Sequence, residues 1–361
     1  LIVLLPWRTW ATREFLDSAP SFPAADLRAI TVLIPARNEK AVIATTLSAL
    51  IAQGHHLAIV LVDDRSTDDT ARTAQAAAPS NLRIISGSPP PAGWSGKLWA
   101  LAQGARHVKT PLTLLMDADI ELQPGILPAL LRKMEAENLQ LLSLMAHPRM
   151  VSFWERLFMP AFVYFFKMLY PFHLSNSRFT RVAAAAGGCI LLRTQLIKEI
   201  GGFQAIHNSL IDDCALAMRV KSRGYRTWIG LTHSVHSLRA CDHLSSIWNM
   251  VARTAFCQLR YSALWLVLTT ILMLLVFAVL PTGLFCSGIP ANLISAGALS
   301  VMWLSYLPTL KFYGRSRVWA VTLPLTAMLY LAMTWTSALR FWRGSGPQWK
   351  DRTYIGRPCG K

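Results

Sequence analysis

Carboxylates are scarce in this chain and unevenly placed. It has twelve aspartates, and eight of them stand in three clusters: Asp63, Asp64, Asp68 and Asp69; Asp117 and Asp119; Asp212 and Asp213. Packed carboxylates repel, so such groupings are tolerated where a cation or the donors of a ligand offset the repulsion. Hard cations such as Mg2+ and Mn2+ choose carboxylate oxygen, and typically use one or two carboxylates plus substrate phosphates. Between the first two clusters lies Gly93-Trp94-Ser95-Gly96-Lys97, followed by a helical stretch over residues 98–104. Glycine allows close backbone approach and lysine supplies a compact charge, a pairing suited to a diphosphate. The spacing is not that of a Walker A loop. His233 and His236 follow the third cluster. An imidazole there is able to complete a metal shell, although a structural histidine is the commoner outcome. The pair His55-His56, in a turn after Gly54, carries no site signal.

These residues need a frame. Short apolar runs at residues 30–34, 58–62, 82–85 and 112–116 alternate with longer stretches, and residues 39–53 place Val42, Ile43, Leu47, Leu50 and Ile51 at helical spacing. Strands alternating with helices predict a mostly parallel α/β sheet covered on both faces. In such sheets ligands bind at the carboxyl ends of the strands, which is where the first two acidic clusters fall.

The rest of the chain answers to a different solvent. Of 361 residues 53% are hydrophobic and 15% charged, with a mean hydropathy of +0.35, whereas soluble domains carry about 25% charged residues. That excludes a wholly soluble cytosolic protein and a disordered one. The net charge of +17 favours phosphates, nucleotides or anionic lipid. The basic residues form no arm or stripe, so nucleic acid is not an expected partner. Six cysteines without a CxxC predict free thiols in a reducing cytoplasm, with neither a disulfide scaffold nor a zinc site.

Residues 262–310 contain no charged side chain, and neither do residues 318–339. A bilayer crossing takes about 20 apolar residues, so the first block holds two crossings, broken near residues 287–290, and the second holds one. Pro290, Asn292, Gly297 and Pro308 leave a re-entrant segment open for residues 290–310. The apolar residues 1–5 read as the end of a truncated membrane helix. Arg8, Arg13 and Arg28 after it place the following domain on the cytoplasmic side, and the basic residues of the tail favour the same side. Residues 153–172 are dense in aromatics but interrupted by Glu155, Arg156 and Lys167, which predicts an interfacial helix, with a buried helix of the globular domain as the alternative. The expected organisation is a truncated membrane helix and linker over 1–29, a cytoplasmic catalytic domain over 30–242, an interfacial helix over 243–261, two to three crossings over 262–340 and a basic tail over 341–361. A multi-pass protein of a bacterial-type inner membrane is the expected setting.

Four segments in order and spacing carry a resemblance. Ile34-Pro35-Ala36-Arg37-Asn38-Glu39, then residues 62–70 (VDDRSTDDT), then Met116-Asp117-Ala118-Asp119, then Ile211-Asp212-Asp213 resemble the family 2 glycosyltransferases. Gly187-Gly188 through Gly201-Gly202-Phe203 is similar to the acceptor-side segment of that family. Within the family, the membrane segments and the Gly-Trp-Ser-Gly-Lys stretch look most like the hopanoid-associated bacterial enzymes. The resemblance implies a glycosyltransferase A-type fold that binds a nucleotide sugar. It places Pro35, Arg37 and Glu39 beside the nucleotide, Asp64 at its base with Asp63 adjacent, and Lys97 near the diphosphate. Asp117 and Asp119 match the Asp-x-Asp pair that meets ribose, donor sugar and a divalent metal (Mg2+ or Mn2+), with Asp119 the direct ligand. Asp213 matches the catalytic base and Asp212 its acidic neighbour; Gly187 and Gly188 border the acceptor. Asp68 and Asp69 read instead as charges favourable to a helix N-terminus.

Two features depart from the family. Asp212 stands where Glu is frequent. Gln258-Leu259-Arg260-Tyr261 is one residue short of the Gln-x-x-Arg-Trp segment of membrane synthases, which speaks against processive polymerisation while leaving Arg253, Gln258 and Arg260 as pyrophosphate or acceptor contacts. The expected reaction is inverting, metal-dependent transfer of a sugar from its nucleotide diphosphate to a hydroxyl of a membrane lipid, possible hopanoids included. The alternatives are a polyprenyl-phosphate acceptor and a non-catalytic nucleotide-sugar-binding component.

Overall fold

The computed structural model describes residues 8–18, 25–77, 81–285, 288–345, 348–349 and 352–353. The apolar stub at residues 1–5 and most of the basic tail lie outside the described residues. The chain divides into two compact units. One holds residues 14–148 and 172–239; the other holds residues 1–13, 149–171 and 240–361.

The first unit is built on an eight-stranded sheet. Across it run Leu82–Ser86, Ala58–Asp63, Ile30–Ala36, Leu112–Met116, Cys189–Arg193, Leu141–His147, Thr227–Ser237 and Ile120–Leu122. The four strands anticipated from apolar runs are the first four, all mutually parallel. Cys189–Arg193 is antiparallel to both of its neighbours. Thr227–Ser237 runs parallel to Leu141–His147 and antiparallel to Ile120–Leu122. Strand Ile30–Ala36 is buried along its whole length. A strand covered on both faces loses the period-two polar alternation and reads as a continuous apolar run.

Helices cover both faces. Ile43–Ile51 and Ile126–Ala136 share one apolar core, with Leu47, Leu50, Ile126 and Leu130 fully buried. Gly96–Ala105 and Asp212–Ser222 share the other, through Leu98, Leu101, Leu216 and Val220. Helix Gly96–Ala105 lies close on the sheet because Gly104 has no side chain. A Cβ there would stand 2.3 Å from Leu33 Cδ1 and 2.8 Å from Val62 Cγ2. The start of this helix is fixed by Ser95, whose hydroxyl accepts from the backbone N–H of Leu98.

The second unit holds three helices long and apolar enough to cross a membrane: Ala263–Phe285, Ile289–Phe312 and Arg317–Trp342. Residues 290–310 belong to one continuous helix, Ile289–Phe312, unbroken at Pro290, Asn292, Gly297 and Pro308. Gly283 meets Ser295 closely, since a Cβ would approach its Oγ to 2.2 Å. Small residues of this kind let apolar helices approach each other. Helix Phe153–Leu169 belongs to this unit and not to the sheet unit, which corrects the domain reading that ran unbroken from 30 to 242. Its Tyr164 hydroxyl meets Ser305 Oγ at 2.9 Å, and its Phe158 carbonyl accepts from the Tyr330 hydroxyl at 2.8 Å. Aromatic residues that face the apolar helices explain the density seen in the sequence.

The charge that interrupts this helix is fully accommodated. Glu155 is completely buried and forms a capping box with Ser152. It also accepts from the backbone N–H groups of Val151 and Cys241 and from Arg149 Nη1. Burial alone would raise its pKa, but these donors outweigh it and hold the carboxyl below its usual range.

Gly104→Val is expected to lift helix Gly96–Ala105 from the sheet and to cost about 1–3 kcal/mol. Thermal unfolding of the purified chain checks it, and an unchanged midpoint would contradict the close approach.

Candidate active site

Two parallel strands deliver the first two acidic clusters, and a third delivers Arg37, to one edge of the sheet. Ala58–Asp63 ends at Asp63 and Asp64, Leu112–Met116 ends just before Asp117, and Ile30–Ala36 ends just before Arg37. The carboxyl ends of parallel neighbours face the same way, so the clusters converge as the strand order requires.

On the nucleotide side, the loop at the strand ends is laced together. Arg37 is buried, and its Nη1 donates to the carbonyls of Asp64 and Arg65, each at 2.8 Å. It therefore holds the turn that carries Asp64 in place. The Asp64 N–H donates to the Ala36 carbonyl at 2.8 Å, and the Asp64 side chain is buried. Asp63 accepts from the hydroxyl of Ser66. Glu39 contributes its backbone N–H to Thr70 Oγ1. Asp68 accepts from the backbone N–H of Thr70 at the start of helix Thr70–Ala77, and Asp69 pairs with Lys40 and Arg72.

The centre of the site is Lys97. Its Nζ lies 2.8 Å from Asp117 Oδ1 and 3.4 Å from Asp212 Oδ2. Withdrawal from water lowers the pKa of an ammonium, but Asp117, Asp212 and Asp213 overcompensate and push it upward. Lys97 therefore stays charged throughout the range in which the protein works. Asp212 and Asp213 open helix Asp212–Ser222, where the helix dipole favours negative charge. Asp213 Oδ2 accepts from the Gly187 N–H at 2.8 Å, and Oδ1 accepts from the Cys214 N–H at 2.7 Å. Desolvation and the neighbouring Asp212 raise the Asp213 pKa against the lowering effect of Lys97, to about 6.

Gly187 is where these groups meet. A Cβ on it would stand 3.0 Å from Lys97 Nζ, 3.5 Å from Asp213 Oδ2 and 3.8 Å from Asp117 Oδ2. The pocket below is lined by the same groups with Pro35, Phe203, Ile206 and Leu216. Gly188 packs against Ile120, where a Cβ would reach Ile120 Cδ1 at 2.9 Å.

Asp119 is buried and pairs with Arg239, whose Nε lies 3.0 Å from Asp119 Oδ2. Sequence reasoning missed Arg239 because strand Thr227–Ser237, which delivers it, was not recognised. His233 turns to Asp17, with Nδ1 2.8 Å from Asp17 Oδ2. His236 Nε2 meets Gln123 Nε2 at 3.1 Å. Asp117 and Asp119 supply the oxygen donors that a hard divalent cation prefers. Among the described residues no group of three or more His, Cys, Asp or Glu is arranged to hold a metal. The donor set fits a cation that completes its shell with ligand phosphates and water, as Mg2+ commonly does. Arg253, Gln258 and Arg260 belong to the other unit, in or just after helix Leu244–Gln258. Gln258 there accepts from the Tyr170 hydroxyl at 2.6 Å.

A mostly parallel sheet covered by helices, with an acidic pair at a central strand end, is the glycosyltransferase A-type architecture. Residues 31–201 match the model of glycosyl transferase family 2. The chain is 33% identical over 93 residues to 4,4'-diaponeurosporenoate glycosyltransferase of Staphylococcus aureus (strain USA300), covering 26% of this chain and 24% of that protein. It thus spans about a quarter of the length of the curated relatives it matches. Among solved structures it resembles the mannosyltransferase PcManGT from Pyrobaculum calidifontis, in complex with GDP-Man and Mn2+. The TM-score is 0.55 and the identity 16%, over 95% of each chain. At that identity the likeness concerns the fold alone.

Gly187→Ala would press a methyl group against the Lys97 ammonium without touching either core. Transfer from a nucleotide sugar is expected to fall about tenfold or more, equivalent to about 1.4 kcal/mol, with an unchanged unfolding midpoint. Wild-type turnover in this variant would remove Gly187 from the site.

Proposed function

We propose that this chain transfers a sugar from a nucleotide diphosphate sugar to a hydroxyl of a membrane lipid, with inversion at the anomeric carbon. The observation that carries the reading is the meeting of Lys97, Asp117 and Asp213 around Gly187. A permanent cation, an oxygen donor for a metal and a carboxylate of raised pKa stand around one side-chain-free position. Asp64 and Asp63 are proposed to receive the nucleotide base, bordered by Pro35, Arg37 and Glu39. Lys97 is proposed to hold the diphosphate. A divalent cation on Asp119 and Asp117 would offset charge on the departing phosphate. Arg239 would then exchange its hold on Asp119 for solvent or phosphate.

Asp213 takes the acceptor proton in this scheme. The Gly187 and Cys214 N–H groups orient its carboxylate, and Asp212 raises its proton affinity toward that of a useful base at neutral pH. A hydroxyl acceptor needs such a base, whereas a phosphate acceptor is already an anion. The raised Asp213 therefore favours a hydroxyl over a polyprenyl phosphate.

Three helices of crossing length support a lipid acceptor and a multi-pass setting in a bacterial-type inner membrane, with the catalytic unit cytoplasmic. The relative named for diaponeurosporenoate is consistent with an apolar acceptor. The sequence resemblance points to a hopanoid-type lipid. Arg253, Gln258 and Arg260 are proposed as acceptor or pyrophosphate contacts.

Asp213→Asn is expected to leave donor affinity and unfolding midpoint nearly unchanged, while transfer to a hydroxyl acceptor falls by roughly 10²–10⁴. A donor screen on membranes holding the chain, with the lipid product identified by mass, supplies the assay. Parallel loss of stability, donor affinity and rate would make Asp213 a structural carboxylate and sink the proposal.

The pH profile gives a second test. Because the pKa of the base is raised, kcat/KM should be half-maximal at about 6, rising to a plateau at higher pH and falling as pH drops below that value. A flat profile down to the ordinary carboxylate range would contradict the role.

A further inference from the structure

Phe179 is 84% exposed. A naked aromatic on a loop is ordinary when the loop is loose, but this loop is tied down at its base. Lys221 Nζ donates to the carbonyls of Leu174, Ser175 and Val182 at 3.2, 2.6 and 2.5 Å. Thr180 Oγ1 donates to the Leu174 carbonyl at 2.5 Å, and the Phe179 N–H donates to Ser177 Oγ at 3.3 Å. The fold thus orders residues 174–182 on an internal ammonium while leaving the apex aromatic in solvent. Ordering a side chain without burying it gains nothing for folding, because the entropy is lost and no apolar area is removed from water.

The charge around it has one sign. Arg178 lies over the Phe179 ring at 4.8 Å from its centroid, and Arg181 is exposed on the other side of the apex. No Asp or Glu occurs between Glu155 and Glu199. An aromatic flanked by arginines matches a bilayer interface, where the ring enters the acyl boundary and the guanidinium groups meet lipid phosphates. The loop also follows directly in sequence on residues 149–171, which belong to the unit of apolar helices.

The geometry points to Arg178-Phe179-Thr180-Arg181 as a membrane-docking wedge of the catalytic unit, taking anionic phospholipid headgroups. This inference rests on the proposed function only in placing the chain at a bilayer; the identity of the acceptor does not enter it.

The test uses the full chain in proteoliposomes, with Phe179 replaced by photoreactive p-benzoylphenylalanine. Leu272, in the apolar helix Ala263–Phe285 and 61% exposed, carries the same probe as a reference. Phosphatidylcholine vesicles are compared with vesicles of phosphatidylcholine and phosphatidylglycerol in equal parts. The expected result is a lipid adduct at both positions, with the anionic vesicles favoured at position 179. Arg178→Gln and Arg181→Gln should each reduce that preference by about fivefold. Adducts at 272 but none at 179 overturn the wedge alone, as does an adduct at 179 to a second copy of the chain. Absence of adducts at both positions overturns the membrane reading itself.

Discussion

One ammonium group makes the site possible. Asp117, Asp212 and Asp213 are drawn toward a single pocket by one strand end and a helix start, and without compensation their mutual repulsion would spread them apart. Lys97 supplies that compensation, within 2.8 Å of Asp117 and 3.4 Å of Asp212. Its position depends in turn on Ser95, which starts the helix, and on Gly104, which seats that helix against Leu33 and Val62. A glycine in the last turn of the helix and a lysine at its beginning are thus parts of one arrangement. The first sets the distance from the sheet, and the second uses it.

The same logic of compensated charge recurs in the other unit. Glu155 enters an aromatic-rich helix, where it is surrounded by three backbone N–H groups and the Arg149 guanidinium. Arg149 also reaches Asp242 at 2.6 Å. The carboxylate thereby joins the start of Phe153–Leu169 to the segment that leads into Leu244–Gln258. A buried charge of this kind specifies one arrangement, because removing any partner leaves the others desolvated and unpaired.

The parallel half of the sheet was legible in the sequence because its strands are short apolar runs, two of them ended by aspartate. The antiparallel half was not. Cys189–Arg193 follows a run of alanines and ends in arginine, and Thr227–Ser237 carries consecutive polar residues, Thr232, His233 and Ser234, that break any apolar run. Their places depend on pairing with distant strands, which local pattern does not encode. For the same reason Asp117 and Lys97 were recognisable as partners in chemistry, while the Arg239 contact with Asp119 was not. The helix Phe153–Leu169 was seen as aromatic and charged, but its membership of the apolar unit depends on Tyr164, Phe158 and their distant partners Ser305 and Tyr330.

The pairing of Met116 with Cys189 across the central ladder has a further consequence. It fastens the two chain segments that flank the pocket directly to each other, as a zipper closes two edges of cloth. Residues 149–171, which pass through the other unit, lie within a segment whose ends are thus already joined. The length of such an excursion matters little to the site, since each doubling of a loop costs only about 0.6 kcal/mol. The chain is therefore free to lengthen its apolar insert while Met116 and Cys189, and the residues next to them, stay where the ladder has put them.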